Sequence, residues 1–355
     1  MKVKSISIVF ICIVIFSSCK ENKPVNADVQ TITTGQMPAV AKDANNTIHL
    51  VYGSGDSIMY CYSNNKSNSF STPVCVDTIT KLVASATRGP QIASTKEGVA
   101  IIALNNEGNI FSFIKDQSGK WIRTAKVNDV DAVDKEGFSG LSSDGNDNLF
   151  AIWTDLREDN HNKIFGASSG DGGKTWSKNL LVYKSPDSTV CECCKPSVAM
   201  QGNNVYVMFR NLLNGNRDLY LIQSADGGNS FGEAQKLGTG SWQLNGCPMD
   251  GGGLAIAANG TAQTVWRRQS KIYSAVAGTA EKEIGEGKGC SIETINGKNV
   301  YAWSDDNGNI VCLLPDGSKK TLGKGILPVM KAVSDDEVVC VWQDEKEIKS
   351  VVLSL

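Results

Sequence analysis

Apolar and polar positions recur along this chain in one order: a start residue, an apolar strand-like run, a small polar turn, and a second run that closes on a bulky residue. The copies run Pro38 to Tyr52, Pro90 to Leu104, Gly140 to Trp153, Pro196 to Phe209, Gly252 to Trp266, Cys290 to Trp303 and Pro328 to Trp342. All but the second close on an aromatic. Within them Asn45-Asn46, Asp144-Gly145, Gly202-Asn203, Asn259-Gly260 and Asn296-Gly297 separate two β-type runs, as a hairpin requires. A polar loop follows, then a third run such as Ser57 to Tyr62, Ile164 to Ser168, Leu219 to Gln223 or Ile272 to Ala275. Closing positions lie 37 to 57 residues apart, room for four short antiparallel strands per unit.

Repetition at this period predicts an all-β propeller of seven blades, with six as the alternative if one weak unit merges with its neighbour. The last unit reaches Leu355 after only three strands, while Val29 to Thr34 is a spare strand ahead of the first unit. Pairing the two closes the ring and removes an exposed sheet edge. Thirty-five glycines in 355 residues, with many Asn and Asp, supply the turns this requires. No Pro-rich linker or shift of composition divides residues 29–355, so they read as one domain.

The amino terminus follows a different pattern. Lys2 and Lys4 precede an apolar run from Ile6 to Phe16 broken only by Ser7, and then come Ser17, Ser18 and Cys19. A basic start, a short apolar centre and small residues before a break define a signal peptide over residues 1–18. The run is well short of the roughly 20 residues of a spanning helix. Phe16-Ser17-Ser18-Cys19 resembles a lipobox, which implies lipidation of Cys19 and a polar tether over residues 19–28. The expected location is the cell envelope, with the membrane as a partner through that lipid. Loss of Lys2 and Lys4 with the signal leaves 33 basic against 37 acidic residues. With no basic stripe, nucleic acid is not an expected partner.

Ser169-Gly170-Asp171-Gly172-Gly173-Lys174-Thr175-Trp176 matches the pattern S-x-D-x-G-x-T-W, and Ser224 to Phe231 repeats it in relaxed form around Asp226. Ser63 to Phe70, with Asn65 in the aspartate position, is a weaker third copy. These segments resemble the Asp-boxes, or BNR repeats, of sialidase-like propellers. The resemblance implies turns between third and fourth strands on the face away from the ligand site, and makes Asp171 and Asp226 structural. The aspartate accepts N–H bonds within the turn while the glycines take positive φ.

On the opposite face, propeller topology gathers the loops after each second strand and those leading into each new blade. The first set carries Asp155 and Arg157, Arg210 with Asn211, Arg267 with Arg268, Asp305 and Asp344; the second carries Thr87-Arg88-Gly89-Pro90, Cys191 to Lys195, and Asn245 to Asp250 followed by three glycines. Arginines and carboxylates around one opening suit an anionic or polyhydroxylated ligand. By resemblance to sialidases, Arg88, Arg210 and Arg267 would bind a carboxylate, with Arg157 a further ligand residue and Asp155 or Asp250 the acid. The pattern departs from that family in placing Arg88 in the second unit and in offering no clear Tyr and Glu pair.

Nine cysteines follow Cys19. Cys191, Cys193, Cys194 and Cys247 fall on the ligand-side loops, as does Cys290, and disulfides tying neighbouring loops are the expected state in an oxidising compartment. C-x-C-C is not a zinc spacing and only His49 and His161 are present, so no metal or other cofactor is called; a soft-metal or redox site near Met249 is the alternative. Cys61 and Cys75 flank one turn and are expected to face each other, and Cys312 and Cys340 to be buried. The function expected is a membrane-anchored lipoprotein that binds, and in its stronger form hydrolyses, glycans at the central face. A non-catalytic protein-interaction platform is the alternative, and a thiol or metal protein the weaker third.

Overall fold

In a computed structural model that describes residues 29–355 apart from Asn65 and Ser188, the described residues form strands and connecting loops without a helix. The signal peptide, Cys19 and the tether expected over residues 1–28 lie outside the described residues.

The strands form seven four-stranded antiparallel sheets. In the first, β2 (Gln36–Lys42), β3 (Ile48–Ser54), β4 (Ser57–Ser63) and β5 (Val74–Thr78) lie side by side in chain order. Five more blades repeat this, each starting on an inner strand: β6 (Gln91–Thr95), β10 (Ser139–Ser143), β14 (Ser197–Gln201), β18 (Gly252–Ile256) and β22 (Lys288–Ile295). The seventh has β26 (Ile326–Ala332), β27 (Glu337–Asp344) and β28 (Glu347–Ser354), and its outer strand is β1 (Gln30–Thr34), paired from Gln30 opposite Ser350 to Thr34 opposite Glu347. Neighbouring inner strands touch all the way round, β26 against β2 included, so the ring is closed. Seven units, not six, are present, and the amino-terminal strand closes the last.

The second strands explain why this ring is stable. Each is packed on both faces by adjacent blades, so it reads as a continuous apolar run such as Leu149 to Trp153 instead of an alternating one. The apolar clusters fall between successive blades: Ile48, Leu50 and Tyr52 of blade one meet Val339, Val341 and Ile348 of blade seven, and the other six interfaces are filled in the same way. The closing aromatics Tyr52, Trp153, Phe209, Trp303 and Trp342 are among the most deeply buried side chains. Full burial of one large apolar side chain is worth roughly 1.5–3 kcal/mol, so these positions anchor each interface. Inner strands are less buried because one side faces the central channel: all five residues of β18 are only partly covered.

Cys312 and Cys340 are buried thiols in the interface between blades six and seven, as expected. Cys61 and Cys75, in contrast, do not form the expected pair. The register sets Cys75 opposite Met59, with a bulge beside it, so Cys61 stays buried and Cys75 lies exposed, both as free thiols.

Candidate functional site at the entry end of the inner strands

Where the inner strands begin, the channel widens into a cavity of about 310 Å³. Its wall is contributed by several blades and includes Thr87, Gln91, Lys195, Asp250, Cys290, Glu293 and Lys331. The backbone here departs from regular strand geometry. Met37 (φ 55), Thr87 (φ 72), Met249 (φ 52) and Leu327 (φ 53) take the left-handed conformation, and β2, β22 and β26 each carry a bulge in their first residues. Such conformations cost of order 1–3 kcal/mol per residue and concentrate at functional sites, while bulges re-aim side chains. Gly251 serves a close approach: a Cβ there would meet the Lys195 carbonyl oxygen at 2.3 Å.

Asp250 is buried in the wall, with Oδ2 3.1 Å from Arg267 Nε and 3.3 Å from the Gly289 backbone N–H that donates to it. Burial raises its carboxyl above the ordinary range, opposed by the positive charges of Arg267 and Arg210. Lys195 donates from Nζ to Gln91 Oε1 at 2.8 Å, and desolvation brings its ammonium down to about 8. Glu293 and Lys331, with an Oε1 to Nζ separation of 3.3 Å, form an ion pair further along the channel. The cavity thus joins one lightly bonded ammonium, one buried carboxylate and an amide in a space of sugar-unit size.

The arginines chosen from sequence divide. Arg210, on β15 (Asn204–Leu213), and Arg267, on β19 (Ala262–Arg268), do converge beside Asp250, each 5.4 Å from the Trp242 ring centre. Arg210 is buried, and its donors go to the carbonyls of Asp250, Arg217 and Arg267 at 2.7 to 3.2 Å. It therefore ties the Asp250 loop to the strand residues Arg217 and Arg267. Arg267 also donates to the Pro248 carbonyl at 2.8 Å. Arg88 turns toward blade three, donating to the Ser85 and Glu136 carbonyls and lying over the Phe138 ring, while its neighbour Thr87 reaches the cavity.

Asp155 and Arg157 form a separate unit. The Asp155 carboxylate is fully buried and accepts bonds from Trp153 Nε1 and from the Arg157 backbone N–H, Nε and Nη2, all at 2.8 to 2.9 Å. Arg157 extends the clamp to Asp129 and Asn179. Neither residue lines the central cavity.

Beside the cavity lies the cysteine loop. Cys193 is joined to Cys247 by a disulfide that ties the loop entering blade four to the one entering blade five. Cys191 and Cys194 are buried free thiols with their sulfurs 3.3 Å apart, and Cys191 Sγ is 3.7 Å from Cys193 Sγ. Arg217 Nη1 donates to Cys191 Sγ at 3.0 Å. The bond between Cys191 and Cys194 and this guanidinium hold the Cys191 thiol below its usual range against desolvation, whereas burial pushes Cys194 up.

On the far side, the turn from Ser169 to Trp176 links β12 (Lys163–Ser169) to β13 (Leu180–Tyr183). Asp171 accepts from Ser169 Oγ, the Thr175 N–H and Thr175 Oγ1, and Asp226 makes the matching bonds with Ser224 and Ser230. Those bonds, led by the one from Ser224, lower Asp226 to about 2. Gly228 has φ +91 and its hydrogen faces Phe150, where a Cβ would clash at 2.2 Å. In the Ser63 to Phe70 turn, the Ser67 N–H donates to Ser63 Oγ, the counterpart of Gly173 to Ser169; Asn65 lies outside the described residues.

Lys195, Gln91, Glu293 and Lys331 were not singled out from sequence. Lys195 had a usable signal, since it lies two residues before β14 at a blade entry, as Asp250 lies two residues before β18.

No protein-family model matches the sequence, and no curated protein matches it. Solved structures do share the fold. An α-L-arabinofuranosidase, Arb93A from Fusarium graminearum, in complex with an iminosugar inhibitor, is 12% identical with a TM-score of 0.52 over 91% of this chain and 93% of its own. A protein of unknown function from Dyadobacter fermentans is 11% identical with a TM-score of 0.51 over 92% and 99%. Sialidases occur among the similar structures too, such as the intramolecular trans-sialidase of Ruminococcus gnavus in complex with oseltamivir carboxylate, at 12% identity and a TM-score of 0.48 over 94% and 98%. At these identities the likeness is one of fold: the chain is a seven-bladed β-propeller.

Proposed function

We propose that the central cavity binds a glycan bearing an acidic group, and that the chain does so as a lipoprotein held in the cell envelope through Cys19. The observation that carries this reading is the Lys195 ammonium, which among the described residues has one hydrogen-bond partner, Gln91, and stands in a cavity that also presents Asp250 paired with Arg267. A cation with free donors takes the ligand's carboxylate, and a carboxylate and an amide take hydroxyls. The fold is shared with a protein that binds an iminosugar inhibitor, which is consistent with the reading but supports it only at the level of fold.

Binding is favoured over hydrolysis. Among the described residues no tyrosine lines the cavity wall, and Asp155 is sealed against Arg157 away from it. The two carboxylates of the cavity wall, Asp250 and Glu293, are each held in an ion pair, with Arg267 and Lys331, whereas glycoside hydrolysis of the usual kind needs one carboxyl as acid and the other free as nucleophile or base across the bond.

Titration with sialylated and uronic-acid glycans, paired with a fluorogenic-glycoside assay, tests this. Lys195→Met is expected to weaken binding by roughly 1.5–3 kcal/mol, the value of a lost charge-assisted bond, with no turnover before or after. Unchanged affinity in Lys195→Met and Asp250→Asn would remove the reading.

A further inference from the structure

Five sulfur atoms meet at the edge of the cavity, and the glycan reading uses none of them. Cys191, Cys193 and Cys194 have Sγ atoms within 4.8 Å of one another, Cys247 is bonded to Cys193, and Met249 Sδ lies 3.4 Å from Cys247 Sγ. We propose that, once the Cys193–Cys247 bond is reduced, Cys191, Cys193, Cys194 and Cys247 form a thiolate site for a soft, thiophilic cation, Cu(I), with the Met249 thioether at its outer edge.

Four sulfurs about 2.3 Å from one tetrahedral ion lie roughly 3.8 Å apart, and a trigonal set is similar. The separations of 3.3 and 3.7 Å already found between Cys191 and its two neighbours are close to that spacing, so little movement is needed. Donor type selects the metal. The cluster is all sulfur and includes a thioether, a combination that favours Cu(I) over harder ions. Several thiolates on a monovalent ion leave net negative charge, and Arg217, 3.0 Å from Cys191 Sγ and 8% exposed, is placed to balance it. An entry path exists as well. Cys191 and Cys194 are buried, while Cys247 and Met249 are exposed on the rim, Met249 at 45% and in a left-handed backbone conformation.

The chemistry balances. A dithiol reductant gives two electrons and two protons to the Cys193–Cys247 disulfide and becomes a cyclic disulfide, leaving four cysteine thiols. Cu(I) then displaces thiol protons to solvent, without change in its own oxidation state. Oxidation of the pair closes the site, so the disulfide form is the form without metal.

The test uses the full chain in detergent, reduced with dithiothreitol, desalted without oxygen and titrated with Cu(I) against a chromophoric competitor. One equivalent per chain is expected, with only sulfur around copper in X-ray absorption, and the oxidised chain should hold at least tenfold less tightly. Cys191→Ser and Cys194→Ser should each lose at least tenfold in affinity, whereas Cys75→Ser, at an exposed thiol in blade one, should not. If a serine variant fails to fold, alkylation of the native chain decides: bound copper should protect Cys191, Cys193, Cys194 and Cys247 and leave Cys75 reactive. Equal binding by oxidised and reduced chains, retention of copper by both variants, zinc held in preference to copper, or no protection of these four cysteines would overturn the proposal.

Discussion

Asp134 carries an unusual load for one side chain. It is 1% exposed; its Oδ1 accepts from Thr154 Oγ1 and the Gly137 and Phe138 N–H groups, and its Oδ2 has no partner. Desolvation, only partly offset by these bonds, raises its carboxyl to about 7. The folded state therefore keeps a proton that the unfolded chain releases near pH 4, and the stability this lends is lost as pH rises from about 4 through about 7. Asp134→Asn keeps the accepting oxygen and cannot ionise. Thermal melts of the two proteins should coincide near pH 4 and separate as pH rises, with the asparagine variant more stable by roughly 1–3 kcal/mol at pH 8. Curves that stay parallel across the range would show that the carboxyl titrates normally. Lys195 differs in consequence, since its unfavourable burial is at the cavity, where a ligand can compensate it.

At the scale of elements, the strand to watch is β1. It covers the outer edge of β28, and its Ile32 packs on the cluster shared by blades one and seven. Deleting residues 30–34 leaves Glu347–Ser354 as an unpaired edge and uncouples the two ends of the chain. The expected outcome is a lower melting temperature and association through the free edge, seen as larger species in size-exclusion chromatography. A monomer with native melting behaviour would show that the ring closes through the inner strands alone. The same logic explains the disulfide: Cys193–Cys247 joins two blade-entry loops that share no strand pairing.

For the whole molecule, the ring converts distant loops into one wall, and its acid–base behaviour follows from that wall. Lys195 falls to about 8 because closure of the ring buries it. A folded lysine titrating below its unfolded value adds stability that is present at high pH and lost as pH falls through about 8. Ligand affinity runs the other way. If the ammonium holds the acidic group, affinity is flat below about pH 8 and falls by about tenfold per unit above it. Calorimetry between pH 6 and 10 checks this, and Lys195→Met should abolish the slope. Raised salt should weaken the same complex by screening the attraction between the local ammonium and the acidic group.

The blade count, the closing strand and the turns around Asp171 and Asp226 were legible along the chain, because each depends on local spacing: apolar runs bounded by turn residues, and an S-x-D-x-G pattern whose bonds stay within eight residues. The gathering of Asp250, Arg210 and Arg267 followed from topology alone. What the tertiary structure decided was direction. Arg88 and Thr87 are adjacent, yet the bend at the blade entry sends one to Phe138 and the other into the cavity. Asp155 is a loop carboxylate in sequence and a sealed partner of Arg157 in space, and Cys75 misses Cys61 by the register of one strand. Sequence spacing sets which residues share a face, but the sense in which each side chain points depends on bulges and on neighbouring blades that no local pattern encodes.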